Sequence, residues 1–454
     1  MGTKNFVDMT HGPFGGKIVR FALPLMLTGI LQLVYNTADT VTVGRFAGTN
    51  ALAAVGSTGS LVTLLLNIFV GMSMGAGVLS ARCIGSGDRA ALGRCVNTSL
   101  SLGLISGVLA SLIGVTLSGV LLTFMNVDPA VLPLSTIYLR IYFLGSPAQM
   151  FYNFGAAVLR SSGDTKRPLY ILLCTGLVNV GLNLYFVIVF GLGVVGVALA
   201  TIISQYLSAI VVLAIFIKNG ADFGFSLRKM RPYKRELLAI VKIGVPAGLQ
   251  NSMFSISNVI IQSVTNSFGP EAMAGISAGS NYDAYIYVAT NAFTQAGITF
   301  TSQNVGARRP DNLKTVYRKT LSFAVVIGLV LAAVGFFCRR GILGIFSEDE
   351  GVIAVGVARM ALVMPFYIFC SLQDMTTGFI RGLGKSTSPM IVSVIGTCAL
   401  RLAWIWLALP LNRTLTMLFI AYPLSWFVTY VMQTALYFYE RKKICSAMAL
   451  PPAA

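Results

Sequence analysis

"RSSGDTKRP" (160–168) and "RGLGKSTSP" (381–389) share the pattern R-x-x-G-x-x-x-x-P at a separation of 221 residues. Three further pairs keep nearly the same offset. "IVRFALP" (18–24) returns as "IVKIGVP" (240–246), and "RFAGTNALAAVG" (45–56) returns, one residue shorter, as "SFGPEAMAGI" (267–276). "IGSGDRAALGR" (84–94) matches "VGARRPDNLKTVYR" (305–318) in position and basic character. The offset starts at 222 residues and settles at 221, which chance does not reproduce across four separated segments. The chain therefore reads as two copies of one half.

Each copy is built from apolar runs. Of 454 residues, 56% are hydrophobic and only 11% charged, with a mean hydropathy of +0.78. A soluble chain carries about 25% charged residues. Twelve runs stand out, at about 18–43, 51–80, 95–122, 134–159, 168–190, 193–217, 240–264, 272–303, 317–338, 354–380, 388–409 and 415–439. Most are long enough to cross a ~30 Å hydrocarbon core as helices. Lone prolines inside them, such as Pro24 and Pro246, are tolerated in membrane helices. The first run has no small-residue cleavage site before it and reads as a span rather than a signal peptide. Six spans per copy make both halves start on the same side, as parallel repeats. The expected fold is an all-α integral membrane protein, with twelve transmembrane helices in two pseudo-symmetric six-helix bundles. The bundles occupy 1–217 and 240–454, the latter with a short tail, joined by a basic linker at 218–239.

The formal net charge of +18 invites a nucleic-acid reading, but its placement argues against one. With the N-terminus inside, inward segments hold 26 of the 33 Lys and Arg, from Lys4 to Lys443, and outward segments hold four (Arg45, Arg339, Arg340, Arg413). Arg140, Arg359 and Arg401 fall within spans. This bias marks both termini as cytoplasmic. It fits a prokaryotic inner membrane and excludes nucleic acid as a partner.

Some patterns are decoys. "GLGVVG" (191–196) fits G-x-G-x-x-G, yet it lies between two membrane-length runs, and the next acid is Asp222, too far for ribose recognition. It reads as an outward hairpin. "GMSMG" (71–75) reads as a small-residue face for close helix packing. The seven cysteines form no CxxC pair, and the single histidine, His11, lies in the N-terminal tail, so no metal cluster is expected. With no nucleophile elbow or phosphate loop either, an enzyme is not the expected reading.

Three acids lie well inside spans: Asp39, Asp283 and Asp374. A carboxylate at mid-span costs roughly 2.5 to 3.5 kcal/mol on insertion scales, so each should face a cavity or a partner. Apolar surroundings favour the neutral form of a carboxyl group, which suits a proton carrier. For Asp374 an ion pair with Arg401 is an equal alternative. Asp39 has polar company: Gln32, Tyr35 and Asn36 share its run, with Tyr35 and Asp39 four apart and on one face. Asn153 in span four, Asn179 and Asn183 in span five and Thr201 in span six complete a candidate pocket in the N-terminal bundle. In span eight, "NYDAYIYVATNAF" (281–293) sets Tyr282 beside Asp283, an arrangement suited to an organic cation through charge and cation–π contact. An interfacial aromatic belt is the alternative there.

"ALPLMLTGILQLVYNTADTVTVGRFAGTNALAAVG" (22–56), with "VLRSSGDTKRP" (158–168) and "FIRGLGKSTSP" (379–389), closely resembles the multidrug and toxic compound extrusion (MATE) family over nearly the whole chain. The resemblance implies an antiporter that exports cationic, amphiphilic compounds in exchange for protons or sodium, without a cofactor. It implies that Asp39 is the coupling carboxylate and that Asn153, Asn179 and Thr201 surround it. Two departures bear on coupling. Where one branch has a second Asp on the fifth helix, this chain has Asn183. The sodium branch's acid on helix seven is absent, and Asp374 does not clearly align with that branch's Asp on helix ten. Proton coupling through Asp39 is the first expectation, with sodium in the same lobe as the second. The expected partners are small cationic molecules and membrane lipid, with the chain a monomer. A flippase for a lipid-linked oligosaccharide is the alternative, but it should line its cleft with Arg and Lys.

Overall fold

The computed structural model describes residues 6–125 and 127–449, and among them every regular element is helical. Lys4, one of the cations counted above, lies outside the described residues. The first six spans are formed by α1 (Phe14–Phe46), α2 (Thr49–Ser86), α3 (Arg89–Phe124), α4 (Leu132–Leu144), α5 (Ser146–Ser161), α6 (Lys166–Leu184) and α7 (Gly193–Lys218). The second six are formed by α8 (Lys234–Asn266), α9 (Pro270–Gly306), α10 (Pro310–Phe337), α11 (Glu350–Val363), α12 (Tyr367–Gly382), α13 (Thr387–Ser393), α14 (Leu400–Leu407) and α15 (Leu415–Ala449). Among the described residues, ten helical stretches are each long and apolar enough to cross a membrane. The other two of the twelve spans are the α4–α5 pair and α9, whose apolar character is diluted by polar side chains.

Several spans are interrupted. The fourth breaks at Gly145 because Pro147, in the first turn of α5, has no N–H to continue the ladder. The tenth loosens to a 3₁₀ turn at Met364–Phe366, where Pro365 has the same effect. Wider π turns occupy Tyr185–Val189 at the end of α6 and Val394–Ala399 between α13 and α14.

The described residues form two compact units. One comprises the tail up to Asp8 with Leu27–Leu249, the other Met9–Met26 with the chain from Gln250. The division therefore falls within α1 and α8, not at the linker where the sequence repeat divides the chain. Pro24 and Pro246 each lie two or three residues before the point at which their helix changes unit.

In the first unit α2 and α8 pack backbone to backbone. A Cβ on Gly71 would lie 2.3 Å from the nitrogen of Gly248, and one on Gly75 would lie 2.4 Å from the carbonyl oxygen of Ile240. Only glycine permits this approach, so "GMSMG" does serve close packing, and "GVPAG" (244–248) is its partner. The linker is clamped onto α3. The Asn97 amide donates to the carbonyls of Gly93 (2.7 Å) and Gly224 (3.0 Å), and its oxygen accepts from Ser226 N–H (3.3 Å). Arg94 closes the clamp on Glu236 at 2.8 Å.

The second unit is centred on aromatic packing. Tyr317 stacks on Tyr437 with 4.3 Å between ring centroids, and Phe21 from the start of α1 meets Phe300 edge to face at 5.9 Å. Its buried polar groups include three arginines, Arg359, Arg381 and Arg401.

Candidate cation and cargo site

Four helices of the first unit each turn a polar stripe toward one cavity of about 390 Å³. From α1 come Gln32, Tyr35, Asn36 and Asp39; from α5, Gln149, Tyr152 and Asn153; from α6, Thr175 and Asn179; from α7, Thr201, Ser204, Gln205 and Ser208. Within each helix the spacing is three or four residues, the period that holds side chains on one face. The break at Gly145 starts α5 just before Gln149, so its first turns carry their side chains to the cavity.

Asp39 is half-buried, and the Asn183 amide donates a hydrogen bond to its carboxylate. The same amide nitrogen lies 3.4 Å from the Asn179 oxygen, which makes a chain of Asn179, Asn183 and Asp39. Tyr35 is held by a bond from its hydroxyl to the Leu173 carbonyl (3.2 Å), and its ring lies over Gly176, where a Cβ would come within 2.0 Å. Ser208 donates to Thr175 at 2.9 Å. The lining contains no Lys or Arg. Four buried oxygens at or beside it make no hydrogen bond among the described residues: Gln149 Oε1, Asn183 Oδ1, Ser204 Oγ and Gln205 Oε1. The result is a cavity with one acid, an excess of acceptors and no competing cation.

Of the residues named from sequence, Gln32, Tyr35, Asn36, Asp39, Asn153, Asn179 and Thr201 line this cavity, and Asn183 touches it through Asp39. Tyr282, Asp283 and Asp374 lie in the other unit. Asp283 accepts from Arg359 at 2.6 Å, and Tyr367 donates to its backbone carbonyl at 3.1 Å. The cation opposite Asp283 is thus supplied by the protein, through Arg359. Tyr282 donates to the Leu331 carbonyl (2.8 Å) and packs one side of its ring on Gly335. Asp374 is half-buried and makes no hydrogen bond or ion pair among the described residues. Arg401 does not pair with it. Its Nε donates to Ser425 at 2.8 Å, and its guanidinium lies over the rings of Tyr422 and Trp426 at 4.7 and 5.7 Å.

Gln149, Tyr152, Thr175, Ser204, Gln205 and Ser208 were not singled out from the sequence. Their signal is the same stripe spacing: "TIISQYLS" (201–208) puts Thr201, Ser204, Gln205 and Ser208 at i, i+3, i+4 and i+7.

A polytopic helical membrane protein of two repeated halves, with a polar cavity enclosed by interrupted and uninterrupted spans of one half, has the architecture of a secondary transporter. The chain belongs to the MATE family of transporters. The family model, MatE, matches it twice, at 24–185 and 246–407, with the same 222-residue offset that opens the internal repeat. Similar proteins include the probable multidrug resistance proteins YoeA and YpnP of Bacillus subtilis. YoeA is 27% identical over 82% of each chain, and YpnP is 28% identical over 87% of this chain and 88% of its own. A MOP superfamily transporter of known structure from Pyrococcus furiosus superposes with a TM-score of 0.90 at 23% identity, over 99% of this chain and 100% of its own.

Proposed function

We propose that the protein is a cation-coupled antiporter that exports cationic, amphiphilic compounds by alternating access, with Asp39 as the coupling carboxylate. The observation that supports this reading most is the chemistry of the cavity: one carboxylate, an excess of oxygen acceptors and no cation in the lining. A positively charged cargo is attracted to the ionised Asp39, while polar stripes on four helices supply adaptable acceptors. A proton on Asp39 removes the counter-charge, so proton and cargo compete and each promotes release of the other. Sodium is the second candidate for the coupling ion, since the same carboxylate and carboxamide oxygens are hard ligands. The charge bias of the loops supports a reading in which both termini are cytoplasmic and the protein resides in an inner membrane. A pyrophosphate-bearing lipid is a poor match for a cavity without Lys or Arg.

The test uses purified protein in liposomes loaded with a fluorescent lipophilic cation, with a pH gradient or a sodium gradient imposed separately. The expected result is dye movement driven by the pH gradient and reduced at least about tenfold in Asp39→Asn, the loss expected when a buried charge of ~1.4 kcal/mol or more is removed from binding. Movement on sodium alone reassigns the coupling ion. Movement in neither gradient removes the exporter reading.

A further inference from the structure

A second concave surface lies in the other unit. Lys314, Thr315, Arg318, Lys319 and Ser322 on α10 line a groove of about 520 Å³ whose remaining wall is Gly15 and Phe323. No acid is in the lining. Lys314, Arg318 and Lys319 are exposed, and their side chains make no ion pair or hydrogen bond among the described residues. By contrast, Arg94 and Arg340 each hold a glutamate. Loop charge bias accounts for cations at this end of the helix. Bulk lipid accounts for exposed apolar residues on a membrane-spanning helix; it is the conjunction of the two at one groove that calls for a particular lipid.

From Arg318 the ridge of i+4 neighbours runs on through Ser322, Val326, Val330 and Val334, winding slowly around the helix, with Phe337 a turn beyond. Val326 is 58% exposed, Val330 56% and Phe337 79%. The stripe is thus cationic at one end, hydroxyl-bearing next and bare apolar beyond, along a helix long enough to cross a membrane. A ligand complementary to it carries negative charge at the headgroup level and hydrocarbon chains below. We propose that this groove is a binding site for an anionic phospholipid, whose phosphate sits among Lys314, Arg318 and Lys319 while its acyl chains run along Val326 and Val330. A soluble anion would have no use for the apolar half.

The test places a tryptophan beside the acyl chains by Val326→Trp in full-length protein reconstituted in bilayers, with the unsubstituted protein as the blank. Quenching by brominated phosphatidylglycerol is compared with quenching by brominated phosphatidylcholine at equal mole fraction. The expected result is a local enrichment of phosphatidylglycerol of roughly fivefold or more, the effect of about one juxtamembrane cation. Lys314→Gln, Arg318→Gln and Lys319→Gln together should abolish the enrichment, and the charge-conserving set Lys314→Arg, Arg318→Lys and Lys319→Arg should keep it. Equal quenching by the two lipids overturns the proposal. So does enrichment that survives the triple glutamine variant, or displacement of the lipid by millimolar inorganic phosphate.

Discussion

Arg359 and Asp283 meet at 2.6 Å with side chains only 3% and 16% exposed, while among the described residues Asp39 has the Asn183 amide alone as its hydrogen-bond partner. The two carboxylates cost the bundle in similar ways and are compensated differently. Removing one member of a buried pair leaves an unpaired charge, so Arg359→Ala should lower stability by about 3–5 kcal/mol. Replacing both members, as Arg359→Met with Asp283→Leu, should recover most of that loss. Thermal unfolding of the purified variants measures both effects, and a double variant as unstable as the single would contradict the pairing. The same double variant should still export dye, because the ion pair belongs to packing; loss of transport with retained stability would return Asp283 to the transport machinery.

At the level of helices, glycine contacts carry the tightest constraint. Gly71→Ala or Gly244→Ala puts a methyl group within 2.4 Å of backbone on the facing helix, where no side chain can rotate away. Each should cost about 1–3 kcal/mol, as overpacking does, and should lower the yield of folded protein in size-exclusion chromatography. Gly176→Ala differs, because its methyl group meets the Tyr35 ring. It should weaken dye binding more than it lowers stability, which parallel binding and melting measurements would separate. The helices and the N-terminal polar residues were legible because polar side chains at a helical period stand out in an apolar chain. Gln32, Asn36 and Asp39 could be picked out one by one, and Thr201 led to the edge of a stripe whose remainder is set by its spacing. The Asp283–Arg359 pair was not legible. Its members are 76 residues apart, and sequence alone does not say which helices adjoin. Nor did sequence mark the π turns, whose segments YFVIV and VIGTCA carry no distinguishing residue.

At the scale of the molecule, the repeat and the compact units divide the chain differently. The repeat breaks at the linker, whereas the units exchange the opening turns of α1 and α8. Each unit therefore draws part of its core from the other half of the gene. Ile18 and Phe21 are buried in the same apolar cluster as Phe300 and Phe379, and Ile240 is buried with Leu102 and Phe154. Half-chains 1–233 and 234–454, expressed singly, should fail to accumulate. Co-expressed, they should copurify through a tag on one of them. Either half proving stable and monodisperse alone would contradict the exchange.

The exchange also has a consequence for biogenesis. The segment Met9–Met26 leaves the ribosome well before its packing partners, which begin at Gln250 and extend into α15. This segment is thus made long before it can find its place, and until its partners arrive the start of α1 has to wait with its apolar face against lipid or an insertion factor. A chain stalled midway through synthesis would therefore hold an incomplete first unit and an unclaimed helix end, a defined substrate for membrane quality control.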